Sequence, residues 1–133
     1  MYKILLAGQD SRLLATRAAV LNKISDHVVS CNVSEALRFL ESERPNLVIL
    51  CHSLPEKDAE RIADKAHQRG EGTRVLMLVS DMKTERQQGD GKYDAVTLPE
   101  PERLITRTTE LLHGSSDHEL EEAVMGQQRR ARV

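Results

Sequence analysis

Short uninterrupted apolar runs alternate with segments of helical periodicity along most of this chain. No other feature limits its fold as much. Five runs have strand length: Tyr2 to Ala7 (YKILLA), His27 to Cys31 (HVVSC), Asn46 to Cys51 (NLVILC), Arg74 to Ser80 (RVLMLVS) and Tyr93 to Leu98 (YDAVTL). After the first, Leu13, Leu14, Ala18, Leu21 and Ile24 share a helical face, with Asp10 or Ser11 placed to cap it. After the second, Ala36, Leu37 and Leu40 do the same, and Pro45 disfavours continuation of that helix. After the third, Ala59, Ile62, Ala63 and Ala66 recur at i, i+3, i+4 and i+7, and Gly70 can end the helix. MKTERQQGDGK, after the fourth, has few apolar residues and two glycines, so any helix there is short. After the fifth, Leu104, Ile105, Thr108, Leu111 and Leu112 form an inner stripe, with Pro101 suited to a first helical turn. A strand apolar on both faces must be covered on both. The pattern therefore predicts an α/β fold, a three-layer α/β/α sandwich of five βα units around a five-stranded parallel sheet, joined by right-handed crossovers.

The chain has 133 residues, which suits one domain over residues 1–113 followed by a tail over 114–133. The tail opens on Gly114-Ser115-Ser116. Ser116 and Glu119 have capping-box spacing before Leu120, Ala123 and Val124, so the expectation is a frayed terminus or a short partner-binding helix. Aromatics are scarce, with no Trp, so the core must be aliphatic. No apolar stretch approaches the roughly 18 residues of a membrane span, and the N-terminus lacks the features of a signal peptide. A cytoplasmic location with reduced thiols is expected. A net charge of −2, and a terminal Arg129, Arg130, Arg132 cluster without aromatics, argue against nucleic acid as a partner.

Several local phrases, in the same element order, resemble the receiver domain of bacterial response regulators, over roughly Lys3 to Leu112. KILLAGQD is similar to the receiver's first strand, which ends in an acidic pair. PNLVILCHSLP resembles its third strand, with Pro55 four residues beyond the phosphoacceptor position. RVLMLVSD resembles the fourth strand, which delivers a switch hydroxyl, and DAVTLPEP the fifth, which ends in Lys-Pro. The resemblance implies a flavodoxin-like (βα)5 fold with strand order 2-1-3-4-5 and a site at the carboxyl ends of the strands. It also implies a setting in two-component phosphorelay signalling.

The chemistry departs from that pattern. Cys51 stands at the phosphoacceptor position, where an aspartate carboxylate would attack a phosphodonor. Gly8 and Gln9 stand at the acidic positions, leaving Asp10 as the only nearby carboxylate, so Mg²⁺ binding is expected to be lost and no other metal site is expected. The phosphoryl-binding lysine is replaced by Leu98. The switch hydroxyl falls on Val79, with Ser80 next to it, and the aromatic switch position on Ala95. Pro55 and Pro99 hold the register on both sides.

Cys51 has three readings. It can pack as a small hydrophobe, serve as a thiol sensor, or ligate a metal with His52. No cation is evident beside it in the sequence, and adjacent strand residues point to opposite faces, so the packed reading is expected. The implied strand order separates Cys31 from Cys51 by an intervening strand, about 9–10 Å, beyond the ~7 Å that a disulfide spans. Two free thiols are predicted. Gly8-Gln9-Asp10 lacks the spacing of a phosphate-binding loop, and His27, His67, His113 and His118 are scattered. The expected function is that of an atypical, non-enzymatic receiver-like module acting through protein contacts, with a histidine kinase or another signalling protein as partner. Its charged face over Met82 to His113 suits a homodimer. The alternatives are a redox-responsive module using Cys51, or the receiver fragment of a larger regulator.

Overall fold

The local signals set most element boundaries. In the computed structural model, which describes residues 2–69, 72–80 and 93–113, the order is β1 (Lys3–Ala7), α1 (Ser11–Leu21), β2 (His27–Cys31), α2 (Val33–Ser42), β3 (Leu47–Leu50), α3 (Glu56–Arg69), β4 (Arg74–Leu78) and β5 (Ala95–Thr97), followed by α4 over 101–113. Asp10 starts α1 from an extended backbone: its Oδ1 accepts from the N–H groups of Arg12 (3.0 Å) and Leu13 (3.3 Å). Asn32 starts α2 through a reciprocal capping box with Glu35, at 2.9 and 3.0 Å. The expected helix over Met82 to Lys92, part of the proposed dimer face, and the tail over 114–133 lie outside the described residues.

All five strands are parallel, in the order β2-β1-β3-β4-β5. This is the flavodoxin-like arrangement. Ala7 pairs with both Cys31 and Leu50, Leu50 with Met77, and Leu78 with Thr97, so the carboxyl ends of the strands form one rim. Alternation along each strand divides the core in two. Ile4, Leu6, Leu47, Ile49, Leu76 and Leu78 pack with Leu21 of α1 and Leu104 of α4. Leu5, Ala7, Val48, Leu50, Val75 and Met77 pack with Ala36 and Leu40 of α2 and Ile62 and Ala66 of α3. Two histidines tie distant elements together: His67 Nε2 lies 3.0 Å from Asp94 Oδ2, which also accepts from Val75 N–H, and His113 meets Tyr2 edge-on at the end of α4.

One expectation fails at the sheet edge. β2 is not buried on both faces: of its five residues only Cys31 is buried, and Val29 is 37 % exposed. As the edge strand it has a neighbour on one side only, so its apolar character does not translate into burial.

Candidate functional site

The rim of the sheet brings Gly8 and Cys51 together. Cys51 N–H donates to Ala7 O (2.9 Å) and Gly8 N–H to Cys31 O (3.0 Å), which extends the ladder by one residue and sets Gly8 beside Cys51. The approach is close. A Cβ at position 8 would lie 3.1 Å from Cys51 Cβ, 3.1 Å from Leu14 Cδ2 and 3.2 Å from Cys51 Sγ. A side chain here would require Cys51 or Leu14 to give way by a few tenths of an ångström. The space beside position 8 is thus occupied by Cys51 and Leu14.

The remaining predicted positions do not converge on Cys51. Gln9 is exposed, and its N–H reaches Ser53 Oγ at 3.2 Å. Asp10 spends its carboxylate on the cap of α1. Val79 is buried in the α2/α3 layer, its N–H bonded to Thr97 O at 2.9 Å, while Ser80 is exposed. Leu98 packs against that same layer. Ala95 lies in the opposite layer and pairs with Leu76, below the rim.

Arg17 is the residue that the periodicity missed. It is only 6 % exposed, on the inner face of α1 between Leu14 and Leu21, at i+3 from Leu14. Its Nη2 lies 3.4 Å from His52 Nδ1, and it also hydrogen-bonds the Cys51 thiol. The expectation that no cation stands by Cys51 is therefore corrected. The only signal in the sequence was an arginine at an apolar-stripe position, which a count of hydrophobic residues passes over.

Burial nonetheless dominates the electrostatics. It pushes the Cys51 thiol above its ordinary value, and the charge and hydrogen bond of Arg17 oppose this only in part. Burial, with the charge of Glu35 and of Cys51, pushes Cys31 up to about 12. His52 is held low, first by burial and then by Arg17, with Asp10 opposing. An arginine can only donate, so its bond to Nδ1 requires neutral imidazole with the proton on Nε2. Both cysteines are free, as predicted, and they sit in opposite layers of the core.

The receiver resemblance implies Mg²⁺, and these residues do not fit it. A hard dication needs several oxygen ligands. The site offers a glycine, an exposed amide, a carboxylate engaged in a cap, a protonated thiol and a buried guanidinium. Among the described residues, no three His, Cys, Asp or Glu side chains are grouped to hold a metal. Among them also, no helix is long and apolar enough to cross a membrane.

No protein-family profile and no curated protein matches the chain. Solved structures do. A response regulator receiver domain protein (CheY-like) from Methanospirillum hungatei JF-1 superposes with a TM-score of 0.72 at 20 % identity, covering 89 % of this chain and 98 % of that one. The signal receiver domain of a Luxo repressor protein from Vibrio parahaemolyticus gives 0.71 at 19 % identity, covering 91 % and 97 %. An uncharacterized protein from Neptuniibacter caesariensis gives 0.72 at 14 % identity, covering 99 % and 97 %. The fold is that of CheY-like receiver domains.

Proposed function

We propose that this protein is an atypical, non-enzymatic receiver-fold signalling module whose state is set by protein partners and not by aspartate phosphorylation. The observation that carries the reading is Cys51, 1 % exposed at the phosphoacceptor position and packed against Gly8 and Leu14. A thiol there gives no acyl phosphate, and no side chain in the site supplies the missing carboxylate pair. Divalent metal has no part in the mechanism. A module of this kind changes state only as far as a partner binds one conformation better than another. A histidine kinase or another signalling protein fits that role. The start and outer side of α4 belong to the expected dimer face and carry paired charges, Glu100, just before the helix, with Arg103 (3.3 Å) and Arg107 with Glu110 (3.7 Å). Such polar surface suits a reversible contact. The redox reading of Cys51 is weakened by its burial and by a thiol held protonated.

The test is direct. The protein is incubated with acetyl phosphate and Mg²⁺ and its intact mass is read, with amide NMR spectra recorded before and after. An unchanged mass and unchanged spectra are expected. A phosphoryl adduct would overturn the proposal.

A further inference from the structure

α1 and α4 cover the same face of the sheet, and both run away from the rim: α1 starts just past β1, and α4 ends where His113 meets Tyr2, ahead of β1. Two recesses mark the seam between them. The upper, near the rim, has a volume of about 230 Å³ and an almost wholly apolar surface built by Leu13 and Val20 of α1 with Pro99, Pro101 and Leu104. The lower, of about 420 Å³, is lined by Tyr2 and by residues 22–26 at the end of α1. We propose that this seam is the docking surface for the chain's own tail: residues 116–125 lie along it as a helix antiparallel to α1 and α4, with Leu120, Ala123 and Val124 turned into the upper recess. The proposal goes beyond the signalling reading and does not depend on it.

Four observations support it. First, the upper recess is unfinished core. Leu13 and Val20 stay partly exposed on a helix whose Leu21 is fully buried. Walls of leucine, valine and proline offer a polar ligand few partners. The volume is also below the roughly 300 Å³ at which small-molecule sites begin, so the recess suits aliphatic side chains. Second, the tail sets out from the right place. α4 delivers Gly114 beside Tyr2, a wall of the lower recess, and Gly114-Ser115-Ser116 suits a reversal of the chain. Third, the tail's pattern matches the seam. Ser116 and Glu119 have capping-box spacing, and Leu120, Ala123 and Val124 recur at i, i+3 and i+4. A helix begun at Ser116 beside the lower recess lifts Leu120 by about 6 Å and Val124 by about 12 Å. Measured from Lys23 along α1, Val20 and Leu13 stand about 5 and 15 Å up, so the stripe falls between the two ends of the upper recess. His118, Glu121 and Glu122 then fall on the opposite side of the helix, towards water.

Fourth, the tether selects the occupant. A stripe joined to α4 by three residues meets the seam at a roughly millimolar effective concentration, which a separate second copy lacks. A partner that binds the seam must displace the tail, so the contact is also a point of control.

A nitroxide is attached through Glu122→Cys in the full-length ¹⁵N-labelled protein, whose two native cysteines are buried. The amide signals of residues 13–20 and 101–105 are expected to lose most of their intensity, while those of α3, on the other face of the sheet, keep theirs. Leu120→Asp together with Val124→Asp should restore the lost signals and speed amide exchange over 120–125 about tenfold. Leu13→Asp should restore them from the other side of the contact, and the tail pair decides the matter if that variant fails to fold. Mixing ¹⁵N-labelled chains that lack the nitroxide with unlabelled chains that carry it should cause no loss. Undiminished signals along the seam, loss that persists in the tail double variant, or equal loss in the mixed sample, which would assign the seam to a second copy, would each overturn the proposal.

Discussion

Arg17→Met keeps an unbranched stem of similar reach and deletes the buried charge. The ledger for this exchange can be drawn from the contacts of the guanidinium. On the unfavourable side stands a sealed Nη1 without an acceptor, a cost of about 1–3 kcal/mol. On the favourable side stand a long 3.4 Å contact to His52, an exposed side chain, and a hydrogen bond to a neutral thiol. Together these are worth no more than about 1 kcal/mol. Methionine fills the same apolar surroundings beside Leu14, Ala18 and Leu21, and it adapts to irregular space. The variant is therefore expected to be more stable than the parent by about 1–2 kcal/mol. For a domain of this size that is a rise in Tm of roughly 3–8 °C. Urea unfolding followed by circular dichroism gives the free energy, and calorimetry gives Tm. A loss of more than about 2 kcal/mol would refute the reasoning. It would mean that the guanidinium is fully satisfied by the contacts it makes.

Three further outcomes follow from the same geometry. Gly8→Val should cost about 1–3 kcal/mol through overpacking against Cys51 and Leu14. Combined with Leu14→Ala it should cost less than the sum of the two, by about 1 kcal/mol in a double-mutant cycle of urea midpoints. The cysteines should resist a thiol reagent until the chain unfolds. Because both thiols are raised in the folded state, Cys31 to about 12, the unfolded chain ionises first. Stability is then fully present below the unfolded value and falls as pH rises above about 8.5, by at most ~1.4 kcal/mol per pH unit for each thiol. Urea unfolding at three alkaline pH values checks this, and Cys31→Ala should flatten the slope. Asp10→Ala should lower stability by about 1 kcal/mol through loss of the α1 cap, read as a fall in Tm.

Much of the fold is legible before any coordinates are seen. HVVSC becomes β2 with its predicted bounds, Asp10 is the cap it was expected to be, and the strand order follows from the resemblance. The site was legible only in part. Cys51 can be placed at the end of β3 by Pro55, but the filled space beside Gly8 cannot be read from a string. Nor could the sequence show that Val79 and Leu98 face one core layer and Ala95 the other, because a one-residue shift in a strand's register exchanges its faces.

The division has a physical cause. Strand runs, helical stripes and caps are short-range properties, set by residues within a few positions of one another, so the sequence by itself determined the βα alternation and the aliphatic core. The neighbourhood of Cys51 is a long-range property. It joins residue 8 from β1's end, residue 17 from α1 and residue 51 from β3's end, and only packing shows how closely they meet. Tertiary structure alone decided that the space beside Gly8 is filled and that a buried cation, delivered from α1, stands where the sequence had offered none.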